Sequence, residues 1–152
     1  MSKGFLKKYL TDEQLRAIAS RIAEQESRTH GEIHVSIRHR LHWKERKKSL
    51  HDVAIGEFHR LGMHRSRKRS GVLILLLFSE RKFQIIADEG IHTKVPAGTW
   101  ERMAEMISSH FVKGNFYDGI CAAVDAVGIE LRKYVPREAG DTDEISNDVD
   151  VS

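Results

Sequence analysis

Apolar positions along the chain follow two spacings, and the switches between them mark out seven elements. Leu15, Ile18, Ala19, Ile22 and Ala23 recur at helical spacing. Thr11-Asp12-Glu13-Gln14 in front of them has the Ser/Thr-x-x-Glu/Gln form of a capping box. A helix is therefore predicted from about Asp12 to Glu26, broken by Thr29-His30-Gly31. Glu32 to Arg38 alternates instead. Ile33, Val35 and Ile37 point one way, and Glu32, His34, Ser36 and Arg38 the other, which predicts a strand with one wetter face. Ser49 can cap a second helix, whose stripe is Leu50, Ala54, Phe58 and Leu61 and whose end is marked by Gly62. Gly71 opens onto a continuous apolar run, Val72 to Phe78, which suits a central strand buried on both faces. Phe83 to Asp88 forms a third strand. The short turn Ser79-Glu80-Arg81-Lys82 before it implies an antiparallel hairpin. After Glu89-Gly90 and a loop holding Pro96, Trp100, Met103, Ile107 and Phe111 mark a third helix. Ile120, Val124, Val127, Leu131 and Tyr134 mark the last, closed by Pro136.

The order is helix, strand, helix, strand, strand, helix, helix. A strand-helix-strand crossover makes the first two strands parallel. The expectation is an α/β fold: an α/β/α sandwich with a small mixed sheet (strands about 32–38, 71–78 and 83–88) flanked by about four helices. Trp100, Met103 and Met106 read as core by their helical spacing.

Composition adds boundaries. The chain has 152 residues, 40% hydrophobic and 31% charged, which suits one globular domain. The single cysteine, Cys121, excludes an intramolecular disulfide and a four-cysteine zinc site, and its helical context places it in or near the core. The longest apolar run, Val72 to Phe78, falls short of the roughly 20 residues of a membrane span. The N-terminus carries no signal-peptide pattern, so the expected location is cytoplasmic.

Charge is uneven. Arg38 to Arg69 holds eleven Lys/Arg against three Asp/Glu, while the chain beyond Tyr134 holds one Arg and six Asp/Glu. Residues 1–136 are thus expected to form the domain and 137–152 an acidic, disordered tail. The tail could dock on the basic window, although salt would screen the attraction.

Three blocks then point to a family: ADEGIHTKVPAGTWERM, SSHFVKGNFYDGI and AVGIELRKYVP. Together with YLTDEQ, THGEIHVSI and SGVLILLLF, in that order and spacing, they resemble the TPM domain family, in its cytoplasmic, stand-alone bacterial branch. The likeness covers about Leu6 to Pro136. It implies an α/β/α sandwich, divalent-cation binding in several members and phosphatase activity in a few.

Topology gives that resemblance a place. Glu32 starts the first strand, Ser70-Gly71 the second, and Asp88 ends the third, so all three lie at one end of the sheet. Glu32 and Asp88 would flank the central strand about 10 Å apart. Paired carboxylates with carbonyl oxygens suit a hard cation, Mg²⁺ or Ca²⁺. Glu32 and Asp88 are the candidate metal ligands, with Ser70, Glu89 and His92 as neighbours. The resemblance carries over on Glu32, in a Gly-Glu-Ile block, and on Asp88, in an Asp-x-Gly-Ile block. This chain departs from it at Ser70, where many members have Asn, and at Pro96-Ala97, where secreted members often have an Asp. The structural alternative is that both carboxylates cap strand ends and organise turns.

Other chemistry is sparser. There is no Cys-x5-Arg loop, P-loop or dinucleotide fingerprint, so no nucleotide cofactor is expected and any phosphatase chemistry would need a metal. The nine histidines form no His-Glu-x-x-His motif; His92 alone falls beside the proposed carboxylates. Arg65, Arg67, Lys68 and Arg69 form a candidate polyanion-binding cluster. A second basic run, Arg38 to Lys48, carries Trp43, which could stack on a base. Three functions remain open: a binding domain, with or without a bound cation, for an unknown protein or phosphate-containing ligand; a metal-assisted phosphatase; and an adaptor for nucleic acid or another polyanion.

Overall fold

Burial of Gly71–Leu77 on all sides sets the architecture. This strand, β2, has no exposed position, because strands cover both of its edges and helices both of its faces. The computed structural model describes residues 4–66, 68–137 and 149–151. In chain order it runs α1 (Asp12–Glu26), β1 (Glu32–Arg38), α2 (Leu50–Arg60), β2 (Gly71–Leu77), β3 (Lys82–Ala87), α3 (Glu89–His92), α4 (Thr99–Val112), α5 (Phe116–Tyr134) and β4 (Asp150–Val151). Sheet order is β3-β2-β1-β4. β1 and β2 are parallel and β2 and β3 antiparallel, as the crossover and the short turn require. This is the expected α/β/α sandwich.

Local signals fix the helix starts. Thr11 Oγ1 accepts from the Gln14 amide at 3.0 Å, and Gln14 Oε1 accepts from the Thr11 amide at 2.9 Å. Ser49 Oγ accepts from the Asp52 amide at 3.1 Å. Above one face of the sheet, α1, α4 and α5 bury Ile18, Ile22, Ile107, Phe111 and Val124 on Ile33, Val35, Ile37, Val72, Ile74 and Leu76. On the other face α2 is the main cover, with Val53 and Ala54 against Leu75 and Phe58 against Leu73. Met106 departs from the expected core and is 72% exposed. It falls beside the stripe of Trp100, Met103, Ile107 and Phe111 rather than on it. No helix among the described residues is long and apolar enough to cross a membrane.

Two features differ from the sequence pattern. The first is β1, whose alternation predicts a wet face yet whose seven residues are all buried. α2 and the segment after β1 cover that polar face and supply its partners. Ser36 Oγ donates to Glu57 of α2 at 2.7 Å, and Arg38 pairs with Glu45. The second is β4, which lies in the acidic tail and pairs in parallel with β1, Ser36 opposite Asp150. The expected disorder of the tail falls largely on residues 138–148 and 152, which lie outside the described residues.

Glu57 ties these features together. Arg60 donates to it at 2.7 and 3.0 Å and also donates to Asp150 of β4 at 3.0 Å. Burial pushes the Glu57 carboxyl upward. Hydrogen bonds from Arg60 and Ser36, with the positive charges of Arg60 and Arg38, outweigh that and hold it below the ordinary value. A depressed folded-state pKa stabilises the fold fully above the unfolded-state value. That contribution is lost as pH falls through the folded-state value. Glu57→Gln should therefore cost about 1–2 kcal/mol at pH 7, with half-exposed Arg60 limiting the effect. It should also flatten the decline in stability below about pH 4.5 relative to the parent. Denaturant melts from pH 3 to 7 would check this, and parallel pH profiles would contradict it.

Candidate functional site

β3 is the edge of the sheet: among the described residues only β2 pairs with it. Helices rise on either side of it, α2 against one face and α4 against the other. Its outer edge therefore runs along the floor of a groove. The deeper part, about 310 Å³, lies beside Gln84–Ala87. Ile55 and Phe58 of α2 line one wall, Trp100 and Glu101 of α4 the other. A shallower part continues past Lys82 and Phe83 between Leu50 and Ala104.

Asp88 closes the deep end. Its amide donates to the Gly71 carbonyl at 2.9 Å, which fixes it at the start of β2. Its carboxylate is buried and divided between two partners. Oδ1 accepts from the Glu89 amide at 2.8 Å and so caps α3. Oδ2 accepts from Arg69 Nε at 2.8 Å. Arg69 adopts φ 52° to reach it, in the left-handed region that a non-glycine residue occupies only at a cost. Gly90 is the counterpart. A Cβ there would stand 2.2 Å from the Lys68 carbonyl oxygen and 2.4 Å from that of Arg69. The Asp-x-Gly-Ile block is thus a clasp: Asp88 caps and pairs, Gly90 admits the loop backbone, and Ile91 is buried.

The proposed site residues separate around this clasp. Asp88, Glu89, His92 and Arg69 line the groove. Glu32 lies at the same sheet end, opposite Gly71, and its side chain is buried rather than among those lining the groove. The Glu32 amide donates to the Ser70 carbonyl at 3.1 Å, and Ser70 Oγ donates to the Lys68 carbonyl at 3.0 Å. Among the described residues no three His, Cys, Asp or Glu side chains gather as a metal site.

The groove also holds residues that spacing could not reveal. His51, His59 and His64 line it with His92. The His59 and His64 rings lie 4.6 Å apart, and His59 Nδ1 is 2.9 Å from the Ile55 carbonyl. Trp100 is 4% exposed, and its Nε1 finds no acceptor among the described residues. A buried donor left so is uncommon and costs about 1–3 kcal/mol. Cys121 sits on α5 away from the groove lining, and burial pushes its thiol above the ordinary value. That is the reverse of what a nucleophile needs.

The basic window does not form one patch. Arg38 ends β1, whereas Arg69 precedes the start of parallel β2, so the two clusters sit a strand length of roughly 20 Å apart. Arg65 and Lys68 are exposed, Arg69 is held by Asp88, and Arg67 lies outside the described residues. In the other cluster Arg40, Lys44, Arg46, Lys47 and Lys48 are exposed around Trp43, itself 74% exposed. Glu45 anchors that turn, pairing with buried Arg38 and accepting from the His42 amide at 3.0 Å.

The clasp predicts a steep response to one methyl group. Gly90→Ala should lower stability by about 1–3 kcal/mol, because the atoms it meets are backbone. Asp88→Ala should lose the cap, about 0.5–2 kcal/mol, besides the ion pair. Urea denaturation reads both, and an unchanged midpoint for Gly90→Ala would contradict the clasp.

Known proteins place this architecture. The chain is similar to BA42 from the psychrophilic bacterium Bizionia argentinensis. The TM-score is 0.84 and identity 30%, covering 95% of this chain and 96% of that one. It shares its fold with the N-terminal domain of a protein from P. gingivalis, at TM-score 0.69 and 20% identity, covering 84% and 79%. No curated protein matches the chain. The TPM domain model matches residues 6–129. With the matched blocks spanning most of the sandwich, the chain belongs to the TPM domain family.

Proposed function

We propose that this TPM domain is a binding module whose ligand seats in the β3 groove, with a divalent cation, Mg²⁺ or Ca²⁺, entering at the Asp88 end. The observation that carries this reading is the 310 Å³ groove ending on a buried carboxylate. The Arg69 guanidinium, 2.8 Å from that carboxylate, already occupies the place of a counter-ion. A cation therefore competes with Arg69 rather than filling a prepared cage. Its affinity is weak for that reason, and Arg69 is the residue that sets it. Metal-assisted phosphoester hydrolysis would run through the same cation, so it stands or falls with Asp88.

Calcium titration followed by amide NMR tests the reading. The parent should show millimolar shifts confined to 69–71 and 88–92. Arg69→Gly, which also suits the positive φ, should bind at least fivefold more tightly, and Asp88→Asn should not bind. No shifts in either the parent or Arg69→Gly would sink the cation.

The exposed turn around Trp43 favours a second reading, polyanion binding, with residues 40–48 rather than 65–69 as its proposed contacts. Its one acidic residue, Glu45, is already paired with Arg38. Five exposed cations around an aromatic ring suit a single-stranded phosphate backbone with one stacked base. Oligothymidylate should quench Trp43 fluorescence at 50 mM salt. Neutralising Arg46, Lys47 and Lys48 should lower the log–log salt slope by about 2. Loss of binding on neutralising Arg65 and Lys68 instead would return the site to the other cluster.

A further inference from the structure

The outer edge of β3 is a main-chain surface set between two walls. Edge N–H and C=O groups seek partners, and an open edge is a template for an added strand. Here α2 and α4 stand beside the edge. A single extended segment lying along the edge would run between them.

The walls differ in character. The α2 wall presents Ile55, a large apolar side chain 37% exposed, over buried Phe58, with His51 and His59 of the same helix beside them. The α4 wall presents Glu101 and, farther along, Glu105, both exposed and neither in an ion pair among the described residues. Three nearby cations are already engaged. Arg69 pairs with Asp88, Lys82 lies 3.6 Å from Glu80, and Arg81 donates to the Val112 carbonyl at 2.8 Å. Successive side chains of a strand point to opposite sides, so one segment would meet the apolar wall and the acidic wall alternately. Trp100 lies in the lining of this channel, and its buried Nε1 has no acceptor among the described residues.

The opposite edge of the same sheet already uses this mode. There Val149-Asp150-Val151 lies along β1. Asp150 meets Arg60, while Val149 and Val151 pack on the main core.

We propose that the β3 groove binds an extended segment of a partner protein as an added strand, one that alternates apolar residues toward α2 with Lys or Arg toward Glu101 and Glu105. This rests on the binding-module reading and names the ligand class of that site. The recognition is by strand addition, in which main-chain hydrogen bonds supply affinity and alternate side chains supply selectivity.

A blocked peptide alternating valine and lysine over six residues is the probe, with a valine–glutamate peptide as control. In ¹⁵N spectra of the whole chain, the valine–lysine peptide should shift the amides of 84–87 and the Trp100 indole N–H, leaving the Trp43 indole unmoved. The control should not bind. Glu101→Lys with Glu105→Lys, both at exposed positions, should keep the folded spectrum and weaken binding at least fivefold. No binding at millimolar peptide, shifts confined to other surfaces, or equal binding of the control would overturn the proposal. Calcium shifts without peptide binding would sink the peptide alone; absence of both would sink the binding-module reading as well.

Discussion

The Asp88 carboxylate is the constraint around which one end of the domain is built. One oxygen caps α3 and the other holds Arg69, so a single buried group joins the end of β3, the loop before β2 and the helix that follows. Each partner bears a cost: Arg69 takes a left-handed backbone conformation, and position 90 must lack a side chain. Such costs persist where the surrounding structure over-determines the geometry, and they gather at functional sites. The same clasp closes the β3 groove, so the architecture and the candidate site share one hinge.

A second buried charge organises the other face. Glu57 sits under β1, bridging Ser36 and Arg60, and Arg60 reaches Asp150 of the tail strand. The polar half of β1 is therefore covered, and the tail segment is tied to the sheet edge by a network that starts from a buried carboxylate. Burying the Glu57 carboxylate carries a desolvation cost, which the hydrogen bonds from Ser36 and half-exposed Arg60 offset.

Much of the fold was legible in the chain. Capping at Thr11 and Ser49, the stripes of α1, α2, α4 and α5, and the apolar run of β2 all follow local rules that the structure obeys. Alternation in β1 was legible as chemistry but not as exposure, since pattern cannot say which element will cover a polar face. β4 lacks any strand signal of its own: an acidic two-residue segment becomes a strand only because β1 offers an edge. The site divided in the same way. Crossover logic brought Glu32, Ser70 and Asp88 to one sheet end, while the Arg69 pairing depends on a single backbone conformation. The groove residues His51, His59, His64 and Trp100 come from separate segments whose convergence is tertiary. The two basic clusters, separate in sequence, lie at opposite ends of the sheet, because parallel β1 ends on Arg38 whereas β2 begins after Arg69.

The domain thus presents a pre-formed groove whose deep end holds the Arg69–Asp88 pair, and under the proposed cation reading a ligand entering there would displace that guanidinium. The most direct test is the through-hydrogen-bond NMR coupling from Arg69 Nε–H to the Asp88 carboxyl carbon, recorded with and without calcium. The account predicts a resolved coupling in the cation-free domain that disappears at saturating calcium. A coupling absent from the start, or one that persists while calcium occupies Asp88, would contradict it.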